Sequence, residues 1–315
     1  MICFVIATII CVLASSDAAS GRQTPPVFHA EVSLVHLDAE VTDASGRIIT
    51  GLSKADFRVF DEDAEQPLVA VTGEDQPLDV ILLFDTSSSM RSVSKKVAAA
   101  GHDAFSTLRL GDRVAVMAFD TDARLLTPLT NDFTAVEGSL AFLSKDSYRG
   151  GTRIQDAVDN AGTRFVWSSQ DEQRRRAVLV VTDNLGRPAK SEQAIVEDFW
   201  ESDTLLSALI IPKHKSVAAL IMGREPGGVD RIVEETGGDL VRTNDVGNTF
   251  ADLLQRLRLR YGLYYRLPKG ASGTLRRVRV ALSPEAQTLH PGARILVRQH
   301  YRVRSRDENG FGKRE

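Results

Sequence analysis

Cysteine is almost missing from this 315-residue sequence: only Cys3 and Cys11 occur, both within the first eleven residues. Beyond them no disulfide, thiolate metal site or cysteine nucleophile can form. Aromatic residues are sparse at 6%, and the longest apolar run is too short to cross a bilayer as a helix, which excludes a polytopic membrane protein. The six histidines (29, 36, 102, 214, 290 and 300) are scattered, and no G-x-S-x-G, H-E-x-x-H or G-x-x-x-x-G-K-[ST] pattern occurs. The familiar nucleophile elbow, zinc-protease helix and phosphate loop are therefore excluded, and a non-enzymatic protein is expected. Neither charge sign dominates, since 39 basic and 42 acidic residues leave a net charge of −3, which argues against a chain that is basic throughout. What is present in quantity is ordinary core material, 43% hydrophobic with 26% charged residues, enough for one large or two ordinary folded domains.

The first fourteen residues, MICFVIATIICVLA, carry no charge and are followed by the small, polar SSDAAS. An apolar stretch of about 13 residues matches the core of a signal peptide, and Ala14, Ser16 and Ala18 offer cleavage positions. No Lys or Arg precedes the run, so either the signal is atypical or the start is misplaced; the ordinary alternative is a buried first strand. The expectation is export to the periplasm, the medium or the outer cell surface, with residues 1–20 as the signal and both cysteines lost with it.

From His29 to about residue 75 short alternating stretches (VSLVHLDAEVTD, DFRVFDED, PLVAVTGED) are separated by Gly/Asp turns, the texture of antiparallel β structure. LDVILLFD (78–85) is instead nearly continuous in apolar residues, as a parallel strand buried on both faces must be. RVAVMAFD (113–120), RAVLVVTD (176–183), LLSALIIP (205–212) and DLVRT (239–243) continue the series. Helical stretches at 92–108, 133–144, 153–167, 191–200, 229–237 and 249–261 separate them. This alternation predicts an α/β unit over 77–258, a doubly wound, mostly parallel sheet with helices on both faces. After Tyr261 the texture is again β, in YGLYYRL, LRRVRVAL and ARILVRQHYRV. Because chain termini tend to lie together, segments 28–75 and 261–304 are expected to pair as two halves of one small antiparallel β-sandwich, with 305–315 a polar tail.

Ligand sites of open α/β sheets lie beyond the carboxyl ends of the strands. Here the first long strand runs into Asp85-Thr86-Ser87-Ser88-Ser89, RAVLVVTD ends at Asp183, and Gly150-Gly151-Thr152 opens the third helix. Two carboxylates with three hydroxyls form an all-oxygen donor set suited to a hard divalent cation, Mg²⁺ first, with Mn²⁺ or Ca²⁺ as alternatives. So few carboxylates leave the ion net positive and able to attract an external carboxylate. The ordinary alternative is a serine-rich helix cap. Asp112, Asp120 and Asp122 flank the second strand and could hold a second cation, but they read rather as solvated turn acids; Asp156, one helical turn past Thr152, reads as either a rim group or an exposed one.

The ordered set ILLFDTSSSM, GGTRIQDAV and VLVVTDN resembles the von Willebrand factor A domain with its metal-ion-dependent adhesion site, over about residues 77–258. The flanking VTDASGRIITGLSKADFRVFDED and LRLRYGLYYRLP are similar to a related family abundant in acidobacterial genomes. The resemblance implies a Rossmann-like fold and a protein-binding, adhesion-type function. By position it makes Asp85, Ser87, Ser89 and Thr152 cation ligands, with Asp183 binding directly or through water, and it implies a partner that presents Asp or Glu. Two departures stand out: Ser88 occupies a common glycine position, and Asn184 and Leu185 follow Asp183 where glycine is frequent. FDTSSS also has a superficial likeness to aspartyl-phosphate enzymes, but it lacks their second Asp.

The net charge conceals a sorting. Between Arg256 and Arg304 stand twelve basic residues and one acid, Glu285. Arg276, Arg277, Arg279, Arg298 and Arg302 could therefore form a cationic sheet face that docks an acidic envelope surface, or could pair with acids of the same chain such as those in DEDAE (61–65). The first option supports a second functional expectation, a structural subunit of an envelope complex with an inert metal site. Nucleic acid is not expected as a partner, because no stacking-aromatic motif accompanies the arginines.

Overall fold

The structure is a computed structural model that describes residues 34–143, 145, 151–168, 174–186, 191–212, 225–226, 228–269 and 274–302. The expected signal at 1–20 and tail at 305–315 lie outside these residues, as does Gly150.

Strand β5 (Leu78–Asp85) is buried at every position, as its unbroken apolar run requires. It lies inside a six-stranded sheet with β6 (Arg113–Phe119), β7 (Ala123–Thr130), β8 (Arg175–Thr182), β10 (Thr204–Ile210) and β12 (Leu240–Arg242), in the order β12-β10-β8-β5-β6-β7. All pairings are parallel except that of the edge strand β7 with β6. Period two divides each strand between two cores. Leu78, Val80, Leu82 and Phe84 meet helices α1 (Arg91–Phe105), α2 (Phe133–Leu143) and α6 (Val246–Arg258), whereas Ile81 and Leu83 meet α3 (Ile154–Ser168), α4 (Glu192–Glu201) and α5 (Val229–Thr236). Each such buried aliphatic side chain contributes roughly 1.5–3 kcal/mol. A two-residue pair, β9 (Leu185–Gly186) with β11 (Glu225–Pro226), sits past the end of β8.

The segments on either side of this unit fold together. One four-stranded sheet has the order β15-β1-β13-β4 and another β16-β14-β2-β3. The N-terminal strands are β1 (Leu34–Thr42), β2 (Phe57–Asp61), β3 (Ala64–Gln66) and β4 (Leu68–Thr72); the C-terminal ones are β13 (Tyr261–Arg266), β14 (Leu275–Leu282), β15 (Arg294–Leu296) and β16 (His300–Arg302). Val35, Leu37, Ala39 and Val41 of β1, Phe57 and Val59 of β2, Leu263 and Tyr265 of β13 and Val278 of β14 share one buried cluster. The expected sandwich of both chain ends is therefore formed. Three elements differ from the sequence reading. ARILVRQHYRV is two short strands, because the chain leaves the first sheet after Leu296 and joins the second at His300. Helix α7 (Pro284–Leu289) is absent from the sequence reading although Ser283 caps it, its side chain accepting from the Ala286 N–H, with Pro284 at the first turn. Strand β7 is absent from it because its partly exposed pattern and Pro128 suit only an edge.

On the outward face of β1, His36, Asp38 and Glu40 turn to the α/β unit. His36 Nδ1 lies 2.5 Å from Asp203 Oδ2, Arg260 Nε donates to Asp38 Oδ1 at 2.9 Å, and Arg256 Nη1 donates to Glu40 Oε1 at 2.9 Å. Arg260 is fully buried and also donates to the Gly237 and Leu296 carbonyls. Several arginines of the basic segment find partners within the chain in this way. Arg276 pairs with Asp61, Arg277 with Asp63, Arg298 with Asp203 and Arg302 with Glu197, while the Arg279 guanidinium stacks 3.9 Å from the Phe60 ring centroid. Four of the five thus pair with acids of the same chain, yet Arg277, Arg279 and Arg302 remain exposed on the surface. No helix among the described residues is long and apolar enough to cross a membrane.

Candidate metal centre

The β5 strand delivers Asp85 to the carboxyl edge of the sheet with 3% exposure. Its Oδ1 accepts the Ser87 N–H at 2.8 Å and its Oδ2 accepts the Thr182 hydroxyl at 2.7 Å. The carboxylate is thus held by neutral donors alone, which fix the group without neutralising it. Thr86 anchors the loop to the adjacent strand, since both its N–H and its hydroxyl donate to the Phe119 carbonyl, at 2.8 and 3.0 Å. Ser87 and Ser89 follow on one side of a short 3-10 turn, their hydroxyls 3.1 Å apart.

Thr152 arrives from the loop ahead of α3. Arg153 N–H donates to the Asp120 carbonyl at the end of β6, and Gly151, at φ +117°, leaves room for Thr121, which a side chain at 151 would strike. Gly186 lies against the Thr152 carbonyl, 3.1 Å from where a Cβ would stand, so Thr152 abuts the segment that follows Asp183. Asp183 Oδ1 accepts from the Leu185 N–H at 3.2 Å. The structure therefore brings Asp85, Ser87, Ser89, Thr152 and Asp183 to one rim. Asp156 instead turns to Arg153, 3.6 Å away, and Asp120 Oδ1 is occupied by the N–H groups of Thr121 and Asp122.

The electrostatics of this rim are unbalanced. Burial, then the nearby Asp183 charge, push the Asp85 carboxyl up to about 6 against the pull of its hydrogen bonds. Five buried side-chain oxygens among the described residues lack a hydrogen-bond partner. Two of them, on Glu40 and Asp230, have an arginine within 3.8 and 2.6 Å. The other three, Thr152 Oγ1, Asp183 Oδ2 and Asn184 Oδ1, all belong to this rim and have nothing. Buried acceptors are ordinarily satisfied, and leaving one bare costs about 1–3 kcal/mol. A hard divalent cation with its waters would satisfy these oxygens and reverse the penalty on Asp85, so the residues present fit the expected ion. Sequence reading did not single out Thr182, although the T-D strand ending contains it; its role shows only in the contact with Asp85.

A sequence model of the von Willebrand factor type A domain matches residues 80–186, a span that contains all five rim residues. The chain carries a von Willebrand factor type A domain. Domains of this type generally mediate protein–protein interaction. Solved structures similar to the chain include an aerotolerance-related membrane protein from Bacteroides fragilis, at 17% identity over 57% of this chain and 98% of that one, with a TM-score of 0.45. A von Willebrand factor type A protein from Catenulispora acidiphila is 14% identical over 90% and 76% of the two chains, with a TM-score of 0.45. Proximal thread matrix protein 1 from the mussel byssus, with a zinc-occupied MIDAS motif, is 15% identical over 62% and 49%, with a TM-score of 0.46. No curated protein matches the sequence.

Proposed function

We propose that this protein is an exported binding module whose A domain holds a divalent cation at Asp85, Ser87, Ser89, Thr152 and Asp183, and that an Asp or Glu of a protein partner completes the ion's shell. The observation that carries the reading is the concentration of unsatisfied buried oxygens on a rim that already holds two carboxylates. The ion is Mg²⁺ on this reading, with Mn²⁺ or Ca²⁺ as alternatives, since all donors are oxygen and only two are charged. When bound, it supplies an electrophilic position for an external carboxylate. The protein's own part is to orient Asp85 through Ser87 and Thr182 and to keep the hydroxyls of Ser87 and Ser89 together. Binding rather than catalysis is proposed, and His36, His290 and His300 all belong to the sandwich segments. Export is supported by the uncharged apolar stretch at residues 1–14.

The test is a thermal melt with increasing Mg²⁺. The wild-type midpoint should rise with the ion, and Asp85→Ala and Ser87→Ala should not respond. A rise that survives both substitutions overturns the assigned site. Partner capture from envelope extract should fail in chelator; capture that persists in chelator and is lost when Arg277 and Arg279 are reversed to Glu would instead support a structural subunit.

A further inference from the structure

Asn184 is the residue of the rim that the donor set above leaves unused. It stands at φ +54°, in the left-handed region where asparagine is tolerated better than most residues but glycine is easier. Its main chain is pinned: its N–H donates to the Thr182 hydroxyl at 3.0 Å, and that same hydroxyl donates to Asp85 Oδ2. On its other side the Leu185 N–H is held by Asp183 Oδ1. The side chain is not a surface group, for the residue is only 6% exposed, and Oδ1 is wholly covered without any hydrogen-bond donor. A strained backbone conformation and a bare buried acceptor at one residue are two costs in one place. Glycine at 184 would remove both.

We infer that the Asn184 amide oxygen is a further neutral oxygen donor of the cation site, engaging the ion or a water it holds. The inference rests on the cation reading given above. Three things favour it. Oδ1 shares its lack of a partner with Asp183 Oδ2 and Thr152 Oγ1 and with no other described oxygen that also lacks a nearby arginine. The Thr182 hydroxyl ties the Asn184 backbone directly to Asp85, so the amide is positioned by the same contact that positions a ligand. And an amide oxygen adds donor capacity without adding to the repulsion between Asp85 and Asp183 that already raises the Asp85 carboxyl.

The experiment is calorimetric titration of the full chain with Mg²⁺ and with Mn²⁺, alongside melting of the metal-free protein. Asn184→Gly should lose about tenfold or more in affinity, the range seen when groups that support a metal site are removed, while its metal-free melting midpoint stays level or rises. Asn184→Asp, which keeps the size and the tolerance for positive φ, should bind both ions more tightly than wild type. Affinities within about twofold of wild type for both variants overturn the assignment while leaving the site itself intact, provided Asp85→Ala no longer binds. If the wild type takes up neither ion, the cation reading and this inference fall together.

Discussion

Asp85 decides how the rim responds to pH. Its carboxyl is raised from an ordinary 3.8 to about 6, so between those values the metal-free folded protein holds a proton that the unfolded chain has released. Stability without metal should accordingly fall as pH rises through that window, the reverse of the usual trend for a salt-bridged aspartate. On the proposed cation reading, binding needs the carboxylate, so Mg²⁺ affinity should strengthen by about tenfold per pH unit up to about 6 and level off above it. Titrations at pH 5, 6 and 7.5 check this, and a flat profile would show that Asp85 does not hold the ion. Small residues matter for a different reason at Gly238, where any Cβ would land on the Leu206 carbonyl oxygen. Gly238→Ala should destabilise the protein by roughly 3 kcal/mol in chemical denaturation, because backbone and not a side-chain tip must yield. The candidate site was legible because its donors occupy three fixed places in an alternating α/β pattern. Thr182 and Asn184 were not, since nothing in their spacing distinguishes a buried hydroxyl or amide from an ordinary turn residue.

Among the elements, β1 shows where patterning misleads. VHLDAE alternates as a strand with one wet face, yet His36, Asp38 and Glu40 are covered by the α/β unit and its arginines. Alternation reports which residues are polar, not what covers them. The same applies to Arg258, which reads as the solvent side of an amphipathic helix but is 3% exposed, its Nε 2.9 Å from Asp112 Oδ2. Asp112 is no solvated turn acid, being 1% exposed: it also accepts the Leu78 N–H at 2.9 Å and the Arg109 N–H at 2.8 Å, so one carboxylate joins the start of β5, the turn before β6 and the end of α6. Asp112→Ala should cost about 3–5 kcal/mol, because it strands a buried guanidinium as well as two amides. Asp112→Asn should cost less, as it keeps an acceptor for the amides; equal losses would mean that the ion pair contributes nothing. The long buried strands were legible from composition alone, while β7, α7 and the break between β15 and β16 depended on edge exposure, a cap and a change of sheet.

For the chain as a folded body, charge is sorted across the seam between sandwich and α/β unit. Glu40 sits there with its carboxyl raised from 4.5 to about 7, by burial first and then by Asp239, against Arg260 and Arg256. Its folded value exceeds its unfolded one, so stability should decline as pH climbs from about 4.5 to 7, and Glu40→Gln should flatten that part of the curve. Urea unfolding at several pH values reads both effects. The seam also bears on how the protein comes to be folded at all. Thr72 and Gly262 are register partners on neighbouring strands, 190 residues apart in sequence, with the entire α/β unit threaded between them. Closing so long a loop is slow when the intervening chain is loose. A chain emerging from synthesis or from a translocation channel has β1 to β4 available long before β13 exists, and those strands expose unpaired edges while they wait. The α/β unit has distant pairings of its own, Leu78 of β5 with Arg175 of β8, but all its strands precede β13 in the chain, so it can assemble first. Once assembled, it delivers Arg260 and Tyr261 directly from the end of α6 to the place where β13 must begin. The inserted unit is thus a template for the sandwich, and mutations that slow its folding should be recovered as aggregated or proteolysed N-terminal strands before any loss of cation binding is seen.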